Sequence, residues 1–430
     1  MHNGLTKLTL PNGLLVILKE IHTAPIISHW IWYRVGSRDE KPGNTGVSHW
    51  IEHMLFKGTP QFSASVLEKT ISRDGGFWNA MTYLDWTTCF ETMPADKIDL
   101  ALRLEADRMK NCLFDPAEVE AERTVIISER QGYENEPMFR LSEEIQSVAF
   151  RIHPYHHEVV GDLVDIQSMN RDDLYHHYRT YYNPNNAVLS IAGDFDSQHI
   201  LEMVKQIYEP LEPGPQPYRL NRPEPLQNGE RRVTLEGPGD TTYLQIAYHI
   251  PASTHPDFLA LTVLDSLLTG PSNLNIFGGG ISNKTSRLYL ALVERELAVS
   301  VQGGLHATLD PFLHVITCVV HSQHTAEEVL SAIDAEIHRL QDDPPPQLEV
   351  SRAVKQARAL FAYGSESVTN QAFWLGFSEM FADLDWFLNC LENLSKVTPQ
   401  DVQRAARTYL IPQNRIYGVY LPTRNGDEKE

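Results

Sequence analysis

Cysteine is scarce: Cys89, Cys112, Cys318 and Cys390 are the only four in 430 residues, and no two form a CxxC pair. That scarcity and spacing suggest neither a disulfide framework nor a thiolate zinc site, and fit a reducing compartment such as the cytoplasm. Positive charge is short as well, with 36 Lys+Arg against 56 Asp+Glu and a net charge of −20. A surface of that sign repels phosphate, which argues against a nucleic-acid binder or a polybasic membrane patch and leaves solubility as its ordinary use. No run reaches 18 consecutive apolar residues, so no membrane span is expected. The N-terminus, MHNGLTKLTLPNGLLVILKE, has neither a basic region before a long apolar stretch nor a small-residue cleavage site. Its Pro11-Asn12-Gly13 reads as the turn of a β-hairpin rather than part of a signal peptide.

What is present is a folded chain of ordinary composition, 42% apolar and 21% charged. Its length implies two or three domains at about 150 residues each. An internal repeat supports two. Arg171 to Gly193 is echoed by Pro399 to Leu421 at an offset of 228 residues (399 − 171), matching Asp173 with Asp401, Arg179 with Arg407, Tyr181 with Tyr409, Pro184 with Pro412 and Asn186 with Asn414. Each copy reads as helix, Pro/Asn turn and strand. Between them, Glu209 to Glu230 is rich in proline and without periodicity, the composition of a linker. The expected organisation is residues 1–212, a linker at 213–229, a homologous domain at 230–424 and a tail at 425–430. Strands open each half, at 8–10, 14–18 and 26–35 in the first and at 232–235 and 242–250 in the second. Helical spacing follows in both, as in 326–340. The expected fold class is α+β, two homologous domains each with a mostly antiparallel sheet and helices packed on it.

The chemistry concentrates in HWIEH, residues 49–53. Its neighbours Val47, Trp50, Ile51, Met54 and Leu55 predict a buried helix, on which His49 and His53 stand at i and i+4 and project from one face. Two such imidazoles can fill two corners of a tetrahedral zinc site. Glu52 shares that side and can take a proton from a water polarised by the ion. An HxxEH string is expected about 0.05 times by chance in a chain this long, so the motif alone is only suggestive and needs a third ligand. Either histidine by itself would be read as a core residue. Downstream, FDPAEVEAERTVIISERQG has Asp115 as N-cap, Pro116 at the first helical position and Gly132 as the expected stop. Glu122 and Glu129, two turns apart, point the same way, whereas Glu118 and Glu120 read as a solvated face.

HxxEH is the inverzincin signature, and the chain resembles the pitrilysin/insulinase family, particularly the branch of mitochondrial processing peptidase and its bacterial relatives. The resemblance runs over residues 1–424, duplication included. It implies a zinc metallopeptidase with one Zn²⁺ per chain, held by His49, His53 and a glutamate about 76 residues beyond the second histidine. Glu129 meets that spacing (129 − 53 = 76). The family's acid seven residues earlier corresponds to Glu122, supporting the ligands from behind. GGFWNAMTYLDWTT (75–88) matches the family's edge strand beside the metal, which implies that Asn79, Ala80, Met81 and Thr82 pair with an extended peptide substrate through main-chain hydrogen bonds. Glu52 is the implied proton-transfer group, and the implied reaction is peptide hydrolysis inside a closed chamber.

One segment departs from the family. Active members carry an Arg and a Tyr seven apart in a stretch like SRLFxxLRExxGLAYSV, whereas SRLYLALVERELAVSV (286–301) is one residue shorter and has Val293 and Val299 at those places. Neither valine can donate a hydrogen bond. The resemblance therefore implies a homologous second subunit that supplies the pair in a heterodimer, with a homodimer as the alternative. Two rival readings stand beside the peptidase: a non-catalytic scaffold subunit, and another metal-dependent hydrolase. The glycine-rich run Gly270 to Ser286 lacks both GxxxxGK[ST] and GxGxxG, so nucleotide binding is not expected. His153, His156 and His157 have no ligand spacing and read as structural.

Overall fold

A computed structural model describes residues 4–272, 274 and 281–423, so the expected tail and residues 273 and 275–280 of the glycine-rich run lie outside it. Among the described residues, β1 (Leu5–Thr9), β2 (Leu15–Glu20), β3 (Ile26–Tyr33), β4 (Phe77–Thr82), β5 (Thr87–Pro94) and β6 (Ala187–Gly193) make a six-stranded sheet in the order β1-β2-β6-β3-β5-β4. A five-stranded sheet joins β7 (Arg231–Pro238), β8 (Tyr243–Ile250), β9 (Ala298–Leu305), β10 (Phe312–Val320) and β11 (Arg415–Thr423) in the order β7-β11-β8-β10-β9. Each sheet has a single parallel pair, β2 with β6 and β7 with β11, and is otherwise antiparallel. The fold is α+β with two sheets and their helices, as expected. The hairpin begins earlier than expected, at Leu5 rather than Leu8.

The repeat is realised residue for residue. Helices Arg171–Tyr181 and Pro399–Tyr409 each start with a capping box, Asn170 with Asp173 and Thr398 with Asp401. Single turns at Pro184–Asn186 and Pro412–Asn414 lead into β6 and β11. Asn186 and Asn414 each donate from Nδ2 to the carbonyl five residues back, Tyr181 and Tyr409, both at 2.8 Å. A side-chain amide that satisfies the frayed end of a helix explains why both copies keep Asn there.

The helices of the first half include α1 (Val47–Leu55), α2 (Ala64–Arg73), α3 (Ile98–Asn111), α4 (Pro116–Glu134) and α5 (Pro137–Ala149). In α4, Asp115 Oδ1 accepts from the Ala117 and Glu118 amides, as the sequence predicts. The expected stop at Gly132 is corrected: the helix continues to Glu134, and Gly132 does not take the left-handed backbone that would end it.

The chain divides into two compact units that interleave along the sequence. One comprises Met1–Gln131, His157–Arg222 and Ser365–Leu388; the other comprises Gly132–His156, Pro223–Gly364 and Asn389–Glu430. One crossing, at Arg222/Pro223, falls in the linker. The others arise because α5 packs on β7, β8 and β11, while the helix Val368–Phe381 packs on β3 and β6. Each sheet thus takes a covering helix from the other half of the sequence.

In the first unit, Trp30 and Trp32 share one face of β3, and each meets Phe373 edge-on, at 5.4 and 5.3 Å between ring centroids. Close approach requires Gly376, where a Cβ would come within 2.1 Å of Trp32 Nε1. On the opposite face, α3 buries Glu105 and Arg108, whose ion pair is 2.6 Å, beside the buried pair His29 Nδ1 and Glu91 Oε2 at 3.0 Å. The Arg108 guanidinium lies 5.1 Å from the Phe56 ring and 4.8 Å from the Trp78 ring, tying the C-terminal end of α1 to β4. Gly376→Ala is expected to destabilise the protein by about 1–3 kcal/mol through overpacking, read as a lower denaturation midpoint; an unchanged midpoint would show that the helix can slide off Trp32 without cost.

Candidate metal centre

α1 is nine residues long, and its buried side chains are Val47, Ser48, Trp50, Ile51, Met54 and Leu55. The remaining three, His49, Glu52 and His53, are half-buried on the other face. Helical spacing therefore places all three together once the apolar stripe is packed. α4 runs past that face and brings Glu122 and Glu129. His49 Nε2 and His53 Nε2 are 3.3 Å apart, and Glu129 Oε2 lies 3.8 Å from the first and 3.6 Å from the second. Bonds of about 2.0–2.2 Å in tetrahedral geometry put neighbouring ligand atoms roughly 3.3–3.5 Å apart, so these separations suit a zinc ion with little adjustment. The donor set of two imidazoles and one carboxylate is also of the kind zinc takes. Among the described residues, this is the group able to hold a metal.

Supporting contacts orient the donors. His53 Nδ1–H donates to Glu122 Oε1 at 2.7 Å, which leaves the Nε2 lone pair facing His49 and Glu129. Glu122 is in turn paired with Lys57, four residues beyond His53 on the FKGTP segment. His53's hydrogen bond and the Lys57 charge hold the Glu122 carboxyl below its usual range against the opposing effect of burial. Burial, with the His53 charge beside it, pushes His49 down to about 4, so it is neutral near pH 7 and free to act as a ligand. For His53, burial opposes protonation, but Glu122, Glu52 and Glu129 outweigh it and raise its pKa.

Glu52 does not join the ligand group. Thr82 Oγ1 donates to Glu52 Oε2 at 2.7 Å, and burial pushes this carboxyl up to about 7, with the Thr82 bond opposing. A carboxyl with a pKa near the working pH can both take and return a proton. The resemblance assigns Thr82 to main-chain pairing with substrate, with no role for its hydroxyl. Its bond to Glu52 was not foreseen, nor was Lys57, although Lys57 continues the i, i+4 series His49, His53, Lys57. Asn79, Ala80, Met81 and Thr82 all lie on β4, the edge strand of the first sheet. The HPYHH histidines find separate partners: His153 Nε2 meets Asp310 Oδ2 at 3.2 Å, and His157 Nε2 meets Glu40 Oε2 at 3.0 Å.

Residues 15–163 match the family described as Insulinase (Peptidase family M16), and residues 168–357 match the Peptidase M16 inactive domain. Zinc protease PqqE of Helicobacter pylori is 30% identical over 373 residues, 85% of this chain and 81% of that protein. The chain belongs to the M16 peptidase family. A probable mitochondrial-processing peptidase subunit beta of Arabidopsis thaliana is 29% identical over 274 residues, covering 63% of this chain and 51% of that protein. The crystal structure of a protease from Helicobacter pylori superposes with a TM-score of 0.89 at 27% identity, covering 97% of this chain and 99% of that one.

Within this M16 chain, segment 286–301 forms a tight turn. Val293 ends the short helix Tyr289–Val293, Glu296 takes a left-handed φ of 60°, and Val299 stands 61% exposed on the edge strand β9. A non-glycine residue in that region is strained. Glu122→Gln is expected to weaken zinc binding by about 10- to 100-fold, read by competition with a chromophoric chelator; unchanged affinity would show that Glu122 does not tune His53.

Proposed function

We propose that this chain is a zinc-dependent endopeptidase acting on peptides or unfolded segments, and that it works with a homologous second subunit. The observation that carries the reading is the convergence of His49, His53 and Glu129 within 4 Å of one another beside the half-buried Glu52. Relatives named as zinc proteases support it. Zinc bound there would supply Lewis-acid polarisation of the scissile carbonyl and raise the acidity of water at the site. Glu52, anchored through one oxygen by Thr82, takes a proton from the attacking water at its other oxygen and hands it to the departing amine nitrogen. The edge strand β4 offers main-chain groups of Asn79 to Thr82 to an extended peptide, which would fix the scissile bond relative to Glu52.

Glu52→Gln is expected to retain about one zinc per chain by elemental analysis while losing most peptide turnover, on the order of 10²-fold or more, whereas Glu129→Gln loses the metal. Full turnover by Glu52→Gln would remove it from the reaction. Metal-free wild type would sink the zinc reading.

The second subunit is inferred from Val293 and Val299, which leave no hydrogen-bond donor where the resemblance calls for Arg and Tyr. A relative named as a subunit of a processing peptidase is in keeping with that. The same valines are the one observation that favours a non-catalytic scaffold. Mixing decides between them: the purified chain should turn over peptides poorly alone and gain at least tenfold with a homologue that carries the Arg/Tyr pair. Full activity of the isolated chain would exclude the partner requirement, and no activity with any homologue despite bound zinc would favour the scaffold.

A further inference from the structure

We propose that Glu40 and His157 are positioning residues for α1, holding its first turn so that His49 and His53 meet Glu129; the inference rests on the zinc reading above. The N-cap of α1 is Gly46, in the left-handed region with φ of 84°, which provides no side-chain cap at that position. The orphan amides of its first turn are taken instead by Glu40, from the loop before the helix. Glu40 Oε2 accepts from Gly46 N–H and Oε1 from Ser48 N–H, both at 2.8 Å. The Glu40 carboxylate has no exposure, and its ionic partner is His157, whose Nε2–H reaches Oε2 at 3.0 Å. A buried carboxylate with two backbone donors and one imidazole is satisfied in a single orientation, which transmits that orientation to the helix.

The residues around His157 close on the same loop. Asp165 Oδ2 accepts from Gly43 N–H, Thr45 N–H and Thr45 Oγ1–H at 3.1, 3.0 and 2.8 Å, while Thr45 Oγ1 accepts from Asp162 N–H at 2.8 Å. Backbones touch between them. A Cβ on Gly46 would lie 2.4 Å from the Val160 carbonyl oxygen, and one on Gly161 would lie 2.4 Å from that of Thr45. Segment 157–165 is therefore a collar around the start of α1. Such a short helix is marginal on its own, and His49 stands in its first turn, directly after Ser48. A small rotation of that turn would open the 3.3 Å separation between the two imidazoles. The HPYHH run thus contributes one histidine that acts on the site through Glu40 without touching it.

The test compares His157→Ala with His157→Gln in the full chain. Zinc affinity is measured by chelator competition, and amide hydrogen exchange over 46–50 is followed in metal-free protein. His157→Ala should raise the zinc dissociation constant about tenfold, the low end of what supporting residues contribute, and should speed exchange at 46–50 selectively. His157→Gln keeps a donor near the Nε2 position and should recover most of both. Zinc affinity within twofold of wild type in His157→Ala, or faster exchange spread evenly over the first unit, would overturn the proposal. Should His157→Ala fail to fold, Glu40→Gln is read on the same two measurements against the same outcomes. The exchange arm is independent of catalysis: a chain that binds zinc yet hydrolyses nothing leaves this proposal standing while the peptidase reading falls.

Discussion

Two imidazole nitrogens 3.3 Å apart with a carboxylate oxygen within 4 Å of each form an arrangement that water does not favour. Like charges so close repel, so at least one histidine has to stay neutral, and burial keeps His49 in that form. Such a cluster persists only where the scaffold leaves no cheaper alternative. Here it is over-determined: the apolar stripe of α1 is sunk beside the sheet, Glu122 fixes the tautomer of His53, and Arg108 stacks on Phe56 where α1 ends. The first turn of α1 is held from the other side by Glu40. A short helix secured at both ends and at one ligand is a rigid platform, the condition under which a metal centre or a proton-transfer group operates with little reorganisation.

Much of this was legible in the sequence because it is local or periodic. HWIEH places its three polar residues on one face through helix spacing alone, and the offset of 228 carries over to capping boxes, turns and Asn hydrogen bonds. The α4 start was readable from Asp115 and Pro116, whose preferences are local chemistry. Its end was not, since a glycine stops a helix only when the backbone turns left-handed, and nothing near Gly132 demands that. The choice of Glu129 came from resemblance, because spacing on a helix does not say which acid faces a helix elsewhere in the chain. Thr82 bonding Glu52 and His157 bonding Glu40 join positions 30 and 117 residues apart, beyond the reach of any periodicity.

The two copies of the repeat have diverged in what they carry rather than in how they fold. Both end in the same helix, turn and interior strand, and β4 in the first sheet and β9 in the second each form one of the sheet's edges. Only the first copy has the HWIEH helix. The second has instead a segment that turns at Glu296, with apolar Val299 exposed on its edge strand.

The exchanged covering helices bear on the order in which the protein can be made. The first sheet and its HWIEH helix are complete by Gly193, yet the helix that shields Trp30 and Trp32 begins only at Val368. During synthesis from the N-terminus, that aromatic face has to wait, bare, through some 170 further residues for its cover. Neither half of the gene product is then a natural candidate for autonomous maturation, and a nascent chain of this kind has good reason to enlist a chaperone until roughly its last seventh emerges.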